Sequence, residues 1–186
     1  SFVNDSMVQI KYMSKTLSDF RNFLKPSTKK VLFSISKALT EINEIIGKQV
    51  FYSNIKMNFN YKNKNEELLI YGYENEFKQV LLNIINNAKN KIVEKNLPLN
   101  KKGEININIQ RCENCNMIEI IDDAGAIDEK IINSIFEPYF TTKENGMGLG
   151  LYMAKIIIED KMKGTISVRN DKNCVIFTIK LPFKKA

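Results

Sequence analysis

The spacing of apolar residues along this chain changes period several times, and each change marks an element. From Val3 to Leu24 they follow something close to a heptad seam: Val3, Met7, Ile10, Leu17 and Leu24, with Met13 and Phe20 alongside. That spacing predicts a helix too short to stand without a packing partner. Pro26 ends it, and Ser27-Thr28-Lys29-Lys30 reads as a short connection with an N-cap. A second helix is expected from Val31, through Phe33, Ile35, Leu39, Ile42 and Ile46, with Gly47 as its stop. The period then drops to two. Ile55, Met57 and Phe59 alternate with polar residues, and Leu68 to Tyr71 forms another short strand that Gly72 breaks. Helical spacing returns from Glu74 to about Lys95 on Phe77, Val80, Leu81, Ile84, Ile85, Ala88 and Ile92, and Pro98 closes that region. Ile105, Ile107 and Ile109 alternate again, with Met117 to Ile121 as the returning strand. A short helix over Asp128–Ile135, an irregular stretch over Thr141–Gly148, a helix over Leu149–Met162 and strands at Thr165–Arg169 and Val175–Leu181 complete the pattern. No internal repeat is present. The order predicts an α+β fold: a two-layer sandwich of a mixed, mostly antiparallel sheet with helices on one face.

Composition narrows the chemistry. At 186 residues, 44% hydrophobic and 26% charged, the chain is one domain or a domain with a short accessory element, and needs no disulfide or metal staple. No apolar run approaches the roughly 18 residues of a membrane span. The start, Ser1 to Ser6, lacks the basic and apolar stretches of a signal peptide. Histidine is absent, which removes histidine bases, Ser-His-Asp triads, histidine-ligated zinc and any phosphohistidine within this chain. The three cysteines, Cys112, Cys115 and Cys174, are expected as reduced thiols. Cys112-Glu113-Asn114-Cys115 lies between two alternating runs and reads as a hairpin turn; with no second pair and no histidine it cannot make a four-ligand zinc site. The net charge of +7 is spread along the chain as scattered lysines, with only the small Lys184-Lys185 block at the end. It reads as a solvated surface, compatible with a phosphate-rich ligand. No nucleic-acid or membrane contact is expected.

Three stretches carry candidate chemistry. In Asn83-Ile84-Ile85-Asn86-Asn87-Ala88, Asn83 and Asn87 are four apart and share a helix face. Stacked amide oxygens are hard neutral ligands suited to a Mg2+ that also holds phosphates, although the chain is rich in Asn throughout. Ile120-Ile121-Asp122-Asp123-Ala124-Gly125-Ala126-Ile127 places a carboxylate at the end of an apolar strand before small residues. There it either accepts a hydrogen bond from an exocyclic amine such as adenine's or makes an ordinary turn. Gly146-Met147-Gly148-Leu149-Gly150-Leu151 precedes a helix, where exposed backbone N–H groups make an anion site. It is neither a Walker A loop nor a Rossmann fingerprint. The preceding Thr141-Thr142-Lys143-Glu144-Asn145 has the composition of a lid.

These stretches, in this order and with Phe136-Glu137-Pro138-Tyr139-Phe140 between the last two, resemble the ATP-binding catalytic domain of sensor histidine kinases. That domain belongs to the GHKL (Bergerat-fold) superfamily, with type II topoisomerase, Hsp90 and MutL ATPase domains. Asn83–Ala88 looks like the N box, Asp122–Ile127 the G1 box, Phe136–Phe140 the F box and Gly146–Leu151 the G2 box. The resemblance covers roughly Val31 to the C-terminus. Leu17 to Pro26 is similar to the end of the second helix of the kinase dimerisation hairpin, whose first helix bears the phosphoaccepting histidine. The resemblance therefore implies two units, a partial dimerisation helix at 1–26 and the ATP-binding domain at 27–186, within a longer sensor protein.

The resemblance also implies roles. Asn87 coordinates Mg2+ bridging the ATP phosphates, and Asn83 supports it. Asp122 accepts the adenine amino group. Ala126, Ile127, Phe140, Thr142 and Leu149 contact the nucleotide, Gly146, Gly148 and Gly150 surround the phosphates and hinge the lid, and Lys91 and Lys143 neutralise charge. Ala124 and Ala126 stand where the G1 box commonly has glycine; a positive φ at Ala126 would cost on the order of 1 kcal/mol. The hydrolysing branches place a Glu where this chain has Asn83. An amide is no general base, so the expected reaction is transfer of the γ-phosphoryl group to a histidine outside this chain, by positioning and charge stabilisation. The alternative is a GHKL-type ATPase or a nucleotide-binding module without kinase activity. The implied cofactors are ATP and Mg2+. The implied partners are a response-regulator receiver domain and, in the full-length protein, a second copy. The implied location is cytoplasmic, including the cytoplasmic part of a membrane-anchored sensor.

Overall fold

The computed structural model describes residues 25–63, 66–95, 97–98, 101–143 and 146–183. The helix expected over Val3–Leu24, and with it most of the unit at 1–26, lies outside the described residues. The described chain runs β1 (Val31–Ser34), α1 (Ile35–Tyr52), β2 (Ile55–Tyr61), β3 (Leu69–Gly72), α2 (Glu74–Glu94), β4 (Gly103–Arg111) and β5 (Cys115–Asp122). After an irregular stretch come α3 (Gly150–Lys155), β6 (Thr165–Asp171) and β7 (Cys174–Pro182).

Five strands form one sheet in the order β2-β4-β5-β7-β6. β2 pairs parallel with β4, and every other neighbour is antiparallel, as the mixed pattern predicts. Strand alternation decides which side is buried. Ile105, Ile107, Ile109, Ile118 and Ile120 are fully buried, while the opposite face carries Asn–Asn pairs, Asn58 to Asn106 and Asn60 to Asn108, each at 2.9 Å. The helices cover the apolar face. Phe77, Val80, Leu81, Ile84 and Ile85 of α2 have no exposure, because three- and four-residue spacing turns them all toward the sheet. Burying each such side chain contributes roughly 1.5–3 kcal/mol.

Three local expectations change. Val31 to Ser34 is a strand, paired antiparallel with β3 from Val31↔Gly72 to Ser34↔Leu69. The β-branched and aromatic residues of Val-Leu-Phe favour that pairing over another helical turn. The helix therefore starts at Ile35, with Ser34 as its N-cap accepting from Lys37 N–H. Ser27 caps a different helix: its hydroxyl accepts from Asn75 N–H at 3.2 Å, at the start of α2. Gly47 does not end α1, which runs on to Tyr52. The roughly 1 kcal/mol helix cost of glycine is outweighed by burial of Ile46 and Val50. The stop comes from Ser53, whose hydroxyl donates to the Gln49 carbonyl, followed by Asn54 at φ +57°.

The expected helix over Asp128–Ile135 is a loop with a single 3-10 turn, Ile132–Ser134. The Asp128 carboxylate accepts from Lys130 N–H instead, and eight residues are too few to offset that competition. The helix expected over Leu149–Met162 is α-helical only to Lys155; Ile156–Lys161 continues it as a π-helix.

Candidate functional site

Asp122 is the last residue of β5, paired with Ile105 on one side and Val175 on the other. Alternation after Ile118 and Ile120 turns it to the helix-covered face, where it is only 5% exposed. Its Oδ1 accepts from Ala124 N–H at 3.1 Å. Burial pushes its carboxyl up to about 6; the Ala124 hydrogen bond pulls it back, Asp123 adds to the rise, and Lys95 opposes it. Asp123 turns the other way. Its Oδ1 accepts from Glu104 N–H at 2.9 Å, and its carbonyl accepts from Lys95 Nζ at 2.9 Å. Of the two adjacent carboxylates, one ties the loop to β4 and the other is left in the cleft.

The loop after Asp122 turns at Gly125, with φ +101°. Ala124 and Ala126 are not among the left-handed residues, so the cost that a positive φ would carry at Ala126 does not arise. Asn170 of β6 grips this loop from outside: it accepts from Ile127 N–H at 2.9 Å and donates to the Ile127 carbonyl at 2.8 Å. A further bond from Asn170 to Glu129 at 2.7 Å fixes the amide's orientation.

α2 passes along the other side of the cleft. Asn87 faces into it, and Lys143 reaches across from the far loop to donate its ammonium to Asn87 Oδ1 at 3.0 Å. Lys91 lines the cleft, and its ammonium pairs with Glu94 at 3.2 Å on the exposed helix surface. Asn83 is not part of the lining. Its amide donates to the Gly150 carbonyl at 3.3 Å, joining α2 to the start of α3. At that start the N-cap Leu149 offers no side-chain oxygen, so no side chain caps the first N–H groups of the helix. Gly148 has φ +66°, and a Cβ there would lie 2.3 Å from the Tyr139 carbonyl carbon. Only glycine fits, and this close approach fixes the glycine-rich stretch against the Phe136–Phe140 segment.

Together these parts enclose a cleft of about 570 Å³, a volume typical of small-ligand sites. Asn87, Lys91, Asp122, Ala126, Ile127 and Phe140 all line it, as do Thr142, Lys143, Gly146, Gly148, Leu149 and Gly150. Of the residues singled out from sequence, Asn83 alone stands outside the lining. Sequence reasoning missed the apolar wall formed by Ile131, Ile135, Val175 and Phe177, and it missed Asn170. Strand alternation marks Val175 and Phe177 as inward-facing. Nothing in an Asn-rich sequence marks Asn170.

The donor set fits a cation brought by its ligand better than a resident one. Among the described residues no group of three or more His, Cys, Asp or Glu side chains gathers as a metal site. The Asn87 amide oxygen is one hard neutral donor on the cleft wall, of the kind that Mg2+ accepts beside phosphate oxygens and water.

Residues 72–185 match the family described as histidine kinase-, DNA gyrase B- and HSP90-like ATPase. Sporulation kinase A of Bacillus subtilis (strain 168) is 30% identical over 171 residues, covering 90% of this chain and 27% of that protein. The chain thus spans about a quarter of that relative's length. The catalytic domain of histidine kinase ThkA in a nucleotide-free form superposes with a TM-score of 0.73 at 28% identity, covering 83% of this chain and 96% of that one. ThkA in complex with the response regulator TrrA gives a TM-score of 0.69 at 22% identity over 98% of this chain and 51% of that one, a likeness of fold.

Proposed function

The chain belongs to the histidine kinase-, DNA gyrase B- and HSP90-like ATPase family, and we propose that it holds Mg-ATP in this cleft and passes the γ-phosphoryl group to a histidine outside the chain. Its role is that of the catalytic part of a sensor histidine kinase. The observation that carries the reading is the convergence on one cleft of a buried carboxylate, Asp122, an amide oxygen, Asn87, and an ammonium, Lys143.

The division of labour follows from the chemistry of each group. Asp122, ionised, accepts the exocyclic amino hydrogen of adenine through its free oxygen, while the Ala124 N–H holds the other. Ile131, Ile135 and Phe177 give the base an apolar wall. Asn87 supplies the protein's oxygen to Mg2+, which when bound spreads the charge of the phosphate oxygens. Lys143 moves from Asn87 to a phosphate, exchanging a neutral acceptor for a charged one. The uncapped N-terminus of α3 adds backbone N–H donors. Asn83 cannot deprotonate water, and its amide is committed to Gly150. The attacking group is therefore an imidazole that is already nucleophilic, and the cleft contributes alignment and charge stabilisation.

The partners follow the same reading: a receiver domain that takes the phosphoryl group, as ThkA is seen with TrrA, and a second copy in the longer protein. Among the described residues no helix is long and apolar enough to cross a membrane, and a cytoplasmic site of action is part of the proposal. Titration with Mg-ATP tests it, comparing wild type with Asn87→Ala and Asp122→Ala. Both variants should bind more weakly, the first only when Mg2+ is present, the second also with metal-free ADP. With a separate histidine-bearing hairpin added, label should pass from ATP to that hairpin. Rapid hydrolysis by the chain alone, with no transfer to a docked hairpin, would favour an ATPase.

A further inference from the structure

The Cys112-Glu113-Asn114-Cys115 turn lies outside the nucleotide reading. It joins β4 to β5, and the last registered pair of that hairpin is Arg111↔Asn116, so the next facing pair is Cys112 and Cys115. Cys112 N–H donates to the Cys115 carbonyl at 2.7 Å. Residues facing each other across such a pair have Cα atoms roughly 5.5 Å apart and side chains on the same side of the sheet. That separation falls within the range a disulfide spans, roughly 4.4–6.8 Å. Both cysteines are free, and each is half-exposed.

Among the described residues, several contacts hold the turn in place. Arg111, next to Cys112, is fixed by an ion pair with Glu66, by its N–H to Asn63 at 2.9 Å, and by its guanidinium over the Phe183 ring at 4.4 Å. Burial pushes the Cys115 thiol up, the neighbouring Cys112 adds to the rise, and Lys180 opposes it. Cys174 is remote: it opens β7 beside Val175, which pairs with Asp122 at the opposite end of β5. The length of that strand puts it roughly 25 Å away, so the turn thiols have only each other as partners within the described residues.

We infer that Cys112 and Cys115 form a dithiol site for reversible exchange with low-molecular-weight disulfides. One turn thiolate attacks the oxidant's S–S bond, making a mixed disulfide and releasing one thiolate. The second turn thiolate attacks the protein sulfur of that mixed disulfide, forming the Cys112–Cys115 bond and releasing the second thiolate. The pair loses two electrons and two protons, and the oxidant leaves as two thiols. A half-exposed disulfide of this kind is also open to attack in the reverse direction.

Oxidised glutathione on the full chain at neutral pH is the test, read by intact mass and by alkylation of the remaining thiols after denaturation. Two of the three cysteines should become unavailable, with a mass loss of two hydrogens and no retained glutathione. Peptide mapping should join Cys112 to Cys115, and reduced glutathione should restore both thiols. Cys112→Ser and Cys115→Ser should each trap a glutathione adduct on the remaining turn cysteine, whereas Cys174→Ser should behave as wild type. A wild-type chain that keeps three free thiols, that accumulates a glutathione adduct on either turn cysteine, or whose disulfide resists reduced glutathione overturns the inference.

Discussion

The ammonium of Lys143 rests on the side-chain oxygen of Asn87 at 3.0 Å, bridging 56 residues of sequence and the mouth of the cleft. In the proposed function that oxygen belongs to Mg2+ and that ammonium to a phosphate. On that proposal the contact is one between two ligand-binding groups. A phosphate oxygen in place of the amide gives that ammonium a charged acceptor, in a bond worth roughly 1.5–3 kcal/mol that Lys143→Met removes. Lys143→Met should therefore weaken Mg-ATP binding about tenfold or more by calorimetry, while Asn87→Ala should abolish the Mg2+ dependence of affinity. Lys143→Met binding at wild-type strength would remove Lys143 from the site.

Asp122 gives the cleft a pH dependence with two opposite slopes. Its folded carboxyl sits at about 6, raised mainly by burial, against an ordinary 3.8. The folded chain thus holds this proton more tightly than the unfolded chain. The associated stability, roughly 2–3 kcal/mol, is fully present below about pH 4 and is lost as pH rises through 6. Nucleotide binding runs the other way, because the ionised carboxylate is the better acceptor. Affinity for ATP should fall as pH drops through about 6, while this group's contribution to folding rises. Asp122→Asn should flatten both profiles. An acid limb in ATP affinity that survives Asp122→Asn would assign it to another group.

Asn170 clamps both backbone polar groups of Ile127 from β6, although the two residues are 43 apart. Asn170→Ala leaves a half-buried N–H and carbonyl without these partners, at a cost of about 1–3 kcal/mol. The expected result is faster amide exchange at Ile127 and severalfold weaker ADP binding, with α2 and the sheet unchanged. Unchanged exchange at Ile127 would mean that the loop holds its own shape.

Periodicity carried most of the fold into view, because burial on one face of each element imposes it. β4, β5 and α2 read directly from Ile105, Ile118 and Phe77 with their neighbours. It misled where three residues fit either period. Val31-Leu32-Phe33 joins a helical run in sequence, yet it pairs with β3, from Val31↔Gly72 to Phe33↔Ile70, a partner that no local pattern announces. The lining of the cleft was legible through the ordered boxes, since Asp122, Asn87 and the glycines are chemically distinctive. Ile131, Ile135 and Asn170 were not, because an apolar wall and a backbone clamp use the residue types that are commonest in this chain.

Gly148 offers the sharpest separation of fold from site. It combines φ +66° with a hypothetical Cβ 2.3 Å from the Tyr139 carbonyl carbon and 2.6 Å from its oxygen. The left-handed backbone alone costs a non-glycine residue roughly 1–2 kcal/mol, and the contact with Tyr139 backbone leaves no flexible atom to yield. Gly148→Ala must therefore displace either the glycine-rich stretch or the Tyr139 turn, itself at φ +65°. Neither belongs to the sheet or to α2, so far-ultraviolet dichroism should be preserved and the melting temperature lowered by a few degrees. Nucleotide affinity should drop by more than tenfold, because the start of α3 and Lys143 both hang from the displaced segment. By contrast Gly150→Ala meets only the Asn83 side chain, at 3.7 Å or beyond, and should bind nearly as wild type. If calorimetry gives the two alanine variants equal affinities, the Tyr139–Gly148 contact does not shape the phosphate end of the cleft.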